Sequence, residues 1–207
     1  MGINIKNRSQ KKILIFGAGK IGRSFIGQLF SRAGYEIVFI DISEELVDAL
    51  NKDRQYPVVI KSEQNDKVIT VKNVKGIHVD DIDNIVREFQ DADLLATCVG
   101  KNGLPGIISI ISISLIERFN FQPDKPIDII IAENMRDADL YFRNELKRSL
   151  PESFPLNTYV GLVETSIGKM VPIMKNEDLK DNILRVFAEP YNTLIVDKMG
   201  FKSEIPE

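Results

Sequence analysis

The sequence predicts an α/β fold, a doubly wound and mostly parallel sheet with a small β excursion. Three observations carry that prediction. Short apolar runs, Ile13–Phe16 first among them, have the continuous hydrophobicity of strands covered on both faces. Stretches of helical period alternate with these runs, the pattern of successive βα units. A glycine-rich turn, Gly17-Ala18-Gly19-Lys20-Ile21-Gly22, joins the first strand to its helix.

The first unit covers Lys12–Ala33. Its helix shows an apolar stripe at Ile21, Phe25 and Leu29, flanked by Ile26 and Phe30. The turn between strand and helix has the spacing G-x-G-x-x-G, the dinucleotide fingerprint of a Rossmann-like fold. Gly17 permits the tight exit from the strand, Gly19 admits a pyrophosphate close to the backbone, and Gly22 lets the helix pack on the sheet. Lys20 and Arg23 bring positive charge to the free N–H groups at the helix start. The same residues nearly spell a phosphate loop, but Arg23 stands where that loop needs lysine.

The second unit runs from Glu36 through Asn51. Its strand ends in Asp41, about twenty positions past Gly19, where a ribose-binding acid belongs. A carboxylate there repels a 2′-phosphate, so the expected cofactor is NAD rather than NADP. Ser43 caps the following helix, with Glu44 and Glu45 in its first turn. Tyr56–Ile60 and Lys67–Val74 are the strands of the excursion, and Asp80–Phe89 is a short helix. Asp93–Val99 is a third buried strand, and Val99 and Gly100 open the loop at its ligand-facing end. Leu104–Phe119 follows as a buried helix, then the strand Ile127–Ala132 and the helix Asn134–Leu150. Thr158–Val163 and Lys169–Met174 are expected strands, and Ile183–Pro190 and Thr193–Lys198 extended segments.

The 207 residues are 43% hydrophobic and 28% charged, with a net charge of −3. That balance suits a globular domain and carries no nucleic-acid footprint. The single cysteine, Cys98, excludes an internal disulfide and suits a reducing cytoplasm, the expected location. Met1–Gln10 reads as a loose leader, and the apolar run after it is too short for a signal peptide. Ile107–Ile116 falls short of the ~20 residues needed to span a bilayer, so no membrane partner is expected, nor any metal.

Groups that could move a proton are scarce. His78, the only histidine, lies in the excursion, away from the expected ligand edge, and reads as a surface or packing residue. Cys98 reads as a small core residue, and Lys101 as an exposed loop lysine. Asn134 follows the strand Ile127–Ala132 on the ligand edge. Its amide either donates to a substrate oxygen or caps the next helix. Glu133 reads as an ordinary strand-end carboxylate.

Phe16–Gly27 resembles the start of the polyol-specific long-chain dehydrogenases. Phe39–Asp41, Ala96–Gly100, Ala132–Met135, Val160–Pro172 and Glu189–Lys198 agree, so the likeness spans about residues 12–207. The resemblance implies NAD-dependent interconversion of a polyol, or polyol phosphate such as mannitol 1-phosphate, and a keto sugar. By it, Gly17, Ala18, Gly19, Lys20, Ile21, Gly22, Asp41, Val99 and Gly100 hold NAD, and Asn134 is the oxyanion-side asparagine. The family's catalytic lysine belongs to a second, helical domain with a Lys-x4-Asn-x2-His pattern, which this sequence lacks. The expectation is therefore a leader at 1–11, an NAD-binding domain at 12–195, and at 196–207 the start of a link to a helical catalytic domain absent from this chain. Such a portion would turn over little alone and would self-associate through uncovered apolar surface. A non-catalytic NAD-sensing or interaction module is the alternative, as is a uronate or mannonate oxidoreductase of the wider family. One departure stands out: the family's Val-Asp-Arg-Ile is Ile167-Gly168-Lys169-Met170 here, which bears on whether the substrate is phosphorylated.

Overall fold

Lys12–Phe16 (β1) leads through the glycine turn into a π-helical turn, Gly22–Gly27, and then α1 (Gln28–Arg32). The remaining elements, in a computed structural model describing residues 10–62, 65–171 and 182–206, are as follows. β2 (Glu36–Asp41) and α2 (Glu44–Asp53) complete the second unit, and Ser43 Oγ accepts from Leu46 N as the cap. β3 (Gln55–Ile60), β4 (Lys67–Lys72), β5 (Val74–His78), α3 (Ile82–Asp91) and β6 (Leu94–Thr97) follow. Then come α4 (Leu104–Phe121), β7 (Ile127–Ile131), α5 (Ala138–Ser149), α6 (Leu156–Tyr159), β8 (Val160–Ser166), β9 (Val186–Ala188) and β10 (Ile195–Val196).

The main sheet has the order β10-β8-β7-β6-β1-β2-β5, parallel except for β10. Strand order reverses beside β1, which puts the glycine turn at the topological switch point where doubly wound sheets bind ligands. Strands β1, β6 and β7 are almost wholly buried, because helices cover both faces. α4 is long and apolar enough to cross a membrane, but half of it is buried here, packed between α3 and α5.

The excursion is a second sheet, β4-β3-β9, seated over the π-helical turn, where Tyr56 Oη donates to Arg23 O at 2.8 Å. The expected strand Lys67–Val74 is in fact two. Asn73, at φ 57, breaks it, and β5 turns away to pair in parallel with β2. His78 thereby stands opposite Asp41, on the ligand edge and not away from it. Residues 169–171 form no strand; the rest of the expected strand at 169–174, like most of the leader, lies outside the described residues. Past β10, Asp128 accepts from Lys202 N and Ser203 N at 2.7 and 3.1 Å, which ties this stretch to the root of β7.

Candidate functional site

Gly17 leaves β1 with φ +98, and a Cβ there would lie 2.6 Å from Cys98 O. Gly22 sits so close beneath the turn that a Cβ would meet Gly17 O at 2.0 Å. Gly19 differs: a Cβ on it would touch nothing within 4 Å, and Gly19 and Lys20 are exposed. Two glycines thus shape the turn, while the third leaves open space where the helix begins. The first N–H groups of a helix have no intrahelical acceptor, so the turn offers donors to an anion.

Asp41 folds against this turn. Its Oδ2 accepts from Ala18 N at 2.6 Å and its Oδ1 from Ser43 N at 3.0 Å. A carboxylate has about four acceptor sites, so both oxygens keep capacity for hydroxyl donors. Arg23 does not add charge to the turn as expected. It is buried, with Nε on Ala18 O at 2.6 Å and Nη1 on Ile183 O at 3.1 Å, and braces the backbone from beneath.

Two crevices flank the turn. One, of about 550 Å³, is lined by Gly17, Gly19, Asp41, Ile42, Val79 and Val99, among others. His78 borders this side, with Nε2 3.0 Å from Ile42 O and Nδ1 accepting from Asp80 N. The other, of about 560 Å³, opens over the ends of β7 and β8. Its lining includes Ile21, Glu133, Asn134, Arg136, Thr165 and Lys169. Lys101 lines neither.

Asn134 is exposed in the second crevice, and its amide makes no hydrogen bond among the described residues. It is not the cap of the following helix, because α5 starts four residues later than expected. Asp137, at φ 52, precedes it without a capping bond, and Glu164 Oε1, from β8, accepts from Ala138 N instead. Glu133 is more than a strand end. Its two oxygens accept from Val99 N and Gly100 N at 2.9 and 2.8 Å, clamping the β6 loop. Desolvation raises its pKa against the lowering effect of those bonds. The backbone donors of Val99 and Gly100 are thus already occupied, and Val99 contributes to the crevice as an apolar wall. Desolvation, with the Glu133 charge, also pushes the Cys98 thiol well above its usual range, which agrees with a packing role.

Lys169 stood out in the sequence only as the lysine in place of the arginine of the family's Val-Asp-Arg-Ile. It is 5% exposed, yet it borders the second crevice. Its Nζ donates to Asn192 Oδ1 at 3.0 Å and to Gln28 Oε1 at 3.4 Å, and lies 5.3 Å from the Phe25 ring centroid. Burial lowers its pKa to about 8, opposed by the charge of Glu189.

The order of the sheet, the glycine turn at its reversal point and the strand-end acid against it define a domain of the Rossmann type. The chain belongs to the mannitol dehydrogenase family: the profile of that family's Rossmann domain matches residues 11–207. Among curated relatives, the mannitol-1-phosphate 5-dehydrogenase of Buchnera aphidicola is 34% identical over 95% of the chain, which covers 50% of that relative. The enzyme of the same name from Thermoanaerobacter pseudethanolicus is 37% identical over 94% of the chain, again covering 50% of the relative. The chain spans about half the length of the curated relatives it matches. A solved structure of Pseudomonas fluorescens mannitol 2-dehydrogenase, a ternary complex with NAD and D-mannitol, superposes with a TM-score of 0.76. At 10% identity, covering 92% of this chain and 50% of that one, this likeness concerns the fold.

Proposed function

We propose that this chain is the NAD-binding part of an oxidoreductase that interconverts a polyol, or polyol phosphate such as mannitol 1-phosphate, and a keto sugar. The observation that carries the proposal is Asp41 held against the glycine turn at the mouth of a crevice, beside the open space over Gly19. The N–H groups of Gly19, Lys20 and Ile21 receive the diphosphate, Asp41 accepts from the ribose hydroxyls, and Ile42, Val79 and Val99 wall the adenosine side. NAD held there would supply hydride transfer to and from the substrate carbon. Asn134, exposed and without a partner among the described residues, donates its amide to the substrate oxygen and stabilises the charge that develops there. The names of the relatives support the polyol phosphate; by the family resemblance, we assign the proton-accepting lysine to a second, helical domain.

Calorimetry with NADH and NADPH tests the cofactor assignment: NADH binds and NADPH binds at least about tenfold more weakly. Equal affinities, or a preference for NADPH, would overturn the role of Asp41. This chain alone oxidises mannitol 1-phosphate slowly or not at all; brisk turnover would show that the proton acceptor lies within these residues.

A further inference from the structure

We infer that the crevice over β7 and β8 holds an anion subsite, formed by Lys169 and Arg136, that receives the phosphate group of a phosphorylated polyol. The inference rests on the proposed function and deepens it, because it separates a phosphorylated substrate from a neutral one.

Two basic side chains line one 560 Å³ crevice together with Asn134. An ammonium group has three donors. Lys169 Nζ spends one on Asn192 at 3.0 Å and another, at the limit of hydrogen bonding, on Gln28 at 3.4 Å. Both acceptors are neutral amide oxygens, and no carboxylate ion-pairs with Lys169 among the described residues. A buried cation without a direct ion pair is costly; the charge of Glu189 offsets that cost only in part, and an incoming phosphate supplies a direct partner. Among the described residues, two carboxylates near the crevice are hydrogen-bonded to backbone. Glu133 is bound to two backbone N–H groups and Glu164 to one, while Glu189 acts on Lys169 from a distance. Arg136, exposed at the rim, has no ion pair among the described residues and carries the planar fork that suits phosphate. Asn134 lines the same crevice and, on the proposed function, meets the reacting oxygen of the polyol, so the phosphate end and the reacting end of one molecule share it.

The glycine turn also binds phosphate, so the test must separate the cofactor's diphosphate from the substrate's phosphate. The chain is saturated with NADH at pH 7 and titrated calorimetrically with mannitol 1-phosphate, mannitol and inorganic phosphate; NADH affinity is measured for each variant in parallel. Mannitol 1-phosphate binds at least about tenfold more tightly than mannitol, and inorganic phosphate competes with it. Arg136→Gln and Lys169→Gln each weaken mannitol 1-phosphate about 10- to 100-fold, the loss expected for a charge-assisted hydrogen bond. Both leave NADH and mannitol within about twofold, and Lys169→Arg restores most of the affinity. Arg136 is exposed, so its variant reports on the subsite even if the Lys169 variant folds poorly. Equal affinity for mannitol and its phosphate, or no effect of Arg136→Gln, overturns the inference and leaves the cofactor assignment standing. Parallel loss of NADH in the variants also overturns it, since the cations would then serve the cofactor. Failure of the wild-type chain to bind NADH overturns the underlying reading instead.

Discussion

Gly19 and Gly22 belong to one motif but differ in what surrounds them, and alanine at each position separates ligand space from packing space. At Gly19 the added methyl meets no atom within 4 Å, and the backbone is not left-handed. The free protein therefore keeps its stability or gains about 0.4–1 kcal/mol from a less flexible unfolded chain. The methyl occupies the room through which a diphosphate reaches the N–H groups, so NADH affinity falls about 100-fold or more, which corresponds to ~2.7 kcal/mol. At Gly22 the methyl sits 2.0 Å from Gly17 O, so the turn or the helix must move. Overpacking of this kind costs about 1–3 kcal/mol, which in a domain of this size lowers Tm by roughly 2–12 °C. Thermal melts followed by circular dichroism without ligand measure the first quantity, and NADH fluorescence titration the second. Gly19→Ala should melt like the wild type and fail to bind; Gly22→Ala should melt early. The reasoning is refuted if Gly19→Ala binds NADH normally, or if it lowers Tm as much as Gly22→Ala does.

Three further outcomes are expected. Asp41→Ala removes the acceptor for Ala18 N and Ser43 N and lowers the NADH-to-NADPH affinity ratio at least about tenfold; an unchanged ratio in paired titrations would count against the ribose assignment. Lys169 has its pKa lowered to about 8 from the ordinary 10.5, so the unfolded chain binds the proton more tightly. The cost of burying the charge is fully present below pH 8 and is relieved as pH rises from 8 toward 10.5. Relative to Lys169→Met, the wild type should gain stability across that window, read from urea midpoints; a flat difference would show that Lys169 titrates normally. Met170, Tyr191, Ile195 and Met199 leave apolar surface exposed near the end of the described chain, so light scattering should find self-association that Met199→Lys with Ile195→Lys reduces.

The first two βα units were legible because local rules agree there. A buried strand, a glycine turn, a second strand ending in an acid and a serine cap each have their own short-range signature, and no tertiary contact overrides them. β5 was hidden because its five residues follow β4 after one intervening residue, and only the left-handed backbone at Asn73 turns it onto another sheet. That break also moved His78 to the ligand edge. The choice left open at Asn134 depended on where α5 begins, which is decided by Glu164, a carboxylate from a different strand. At Lys169 the departure from the family's arginine was visible, but the burial of this residue was not, for a similar reason. Its environment is made by Gln28, Asn192 and Phe25, which are distant from it in the chain, and no periodicity connects them.

The carboxyl edge of the sheet follows a repeated logic that explains where an anion can bind. Asp41, at the end of β2, bonds the turn after β1; Glu133, just past β7, bonds the loop after β6; Glu164, on β8, bonds the start of the helix after β7. Each acid serves the loop of the neighbouring strand, and each satisfies backbone donors that would otherwise face the crevices. The donors of Gly19, Lys20 and Ile21 are bypassed, because Asp41 reaches only as far as Ala18. The loops are thus fixed by internal carboxylates while one turn keeps its N–H groups for a ligand. Glu133→Gln tests this directly. It replaces one acceptor oxygen with an amide donor facing Val99 N or Gly100 N, which costs about 1–3 kcal/mol of stability. Since the Gly19 turn is untouched, NADH affinity should fall far less than in Gly19→Ala. A large loss of NADH affinity without a loss of stability would mean that Glu133 serves the cofactor and not the loop.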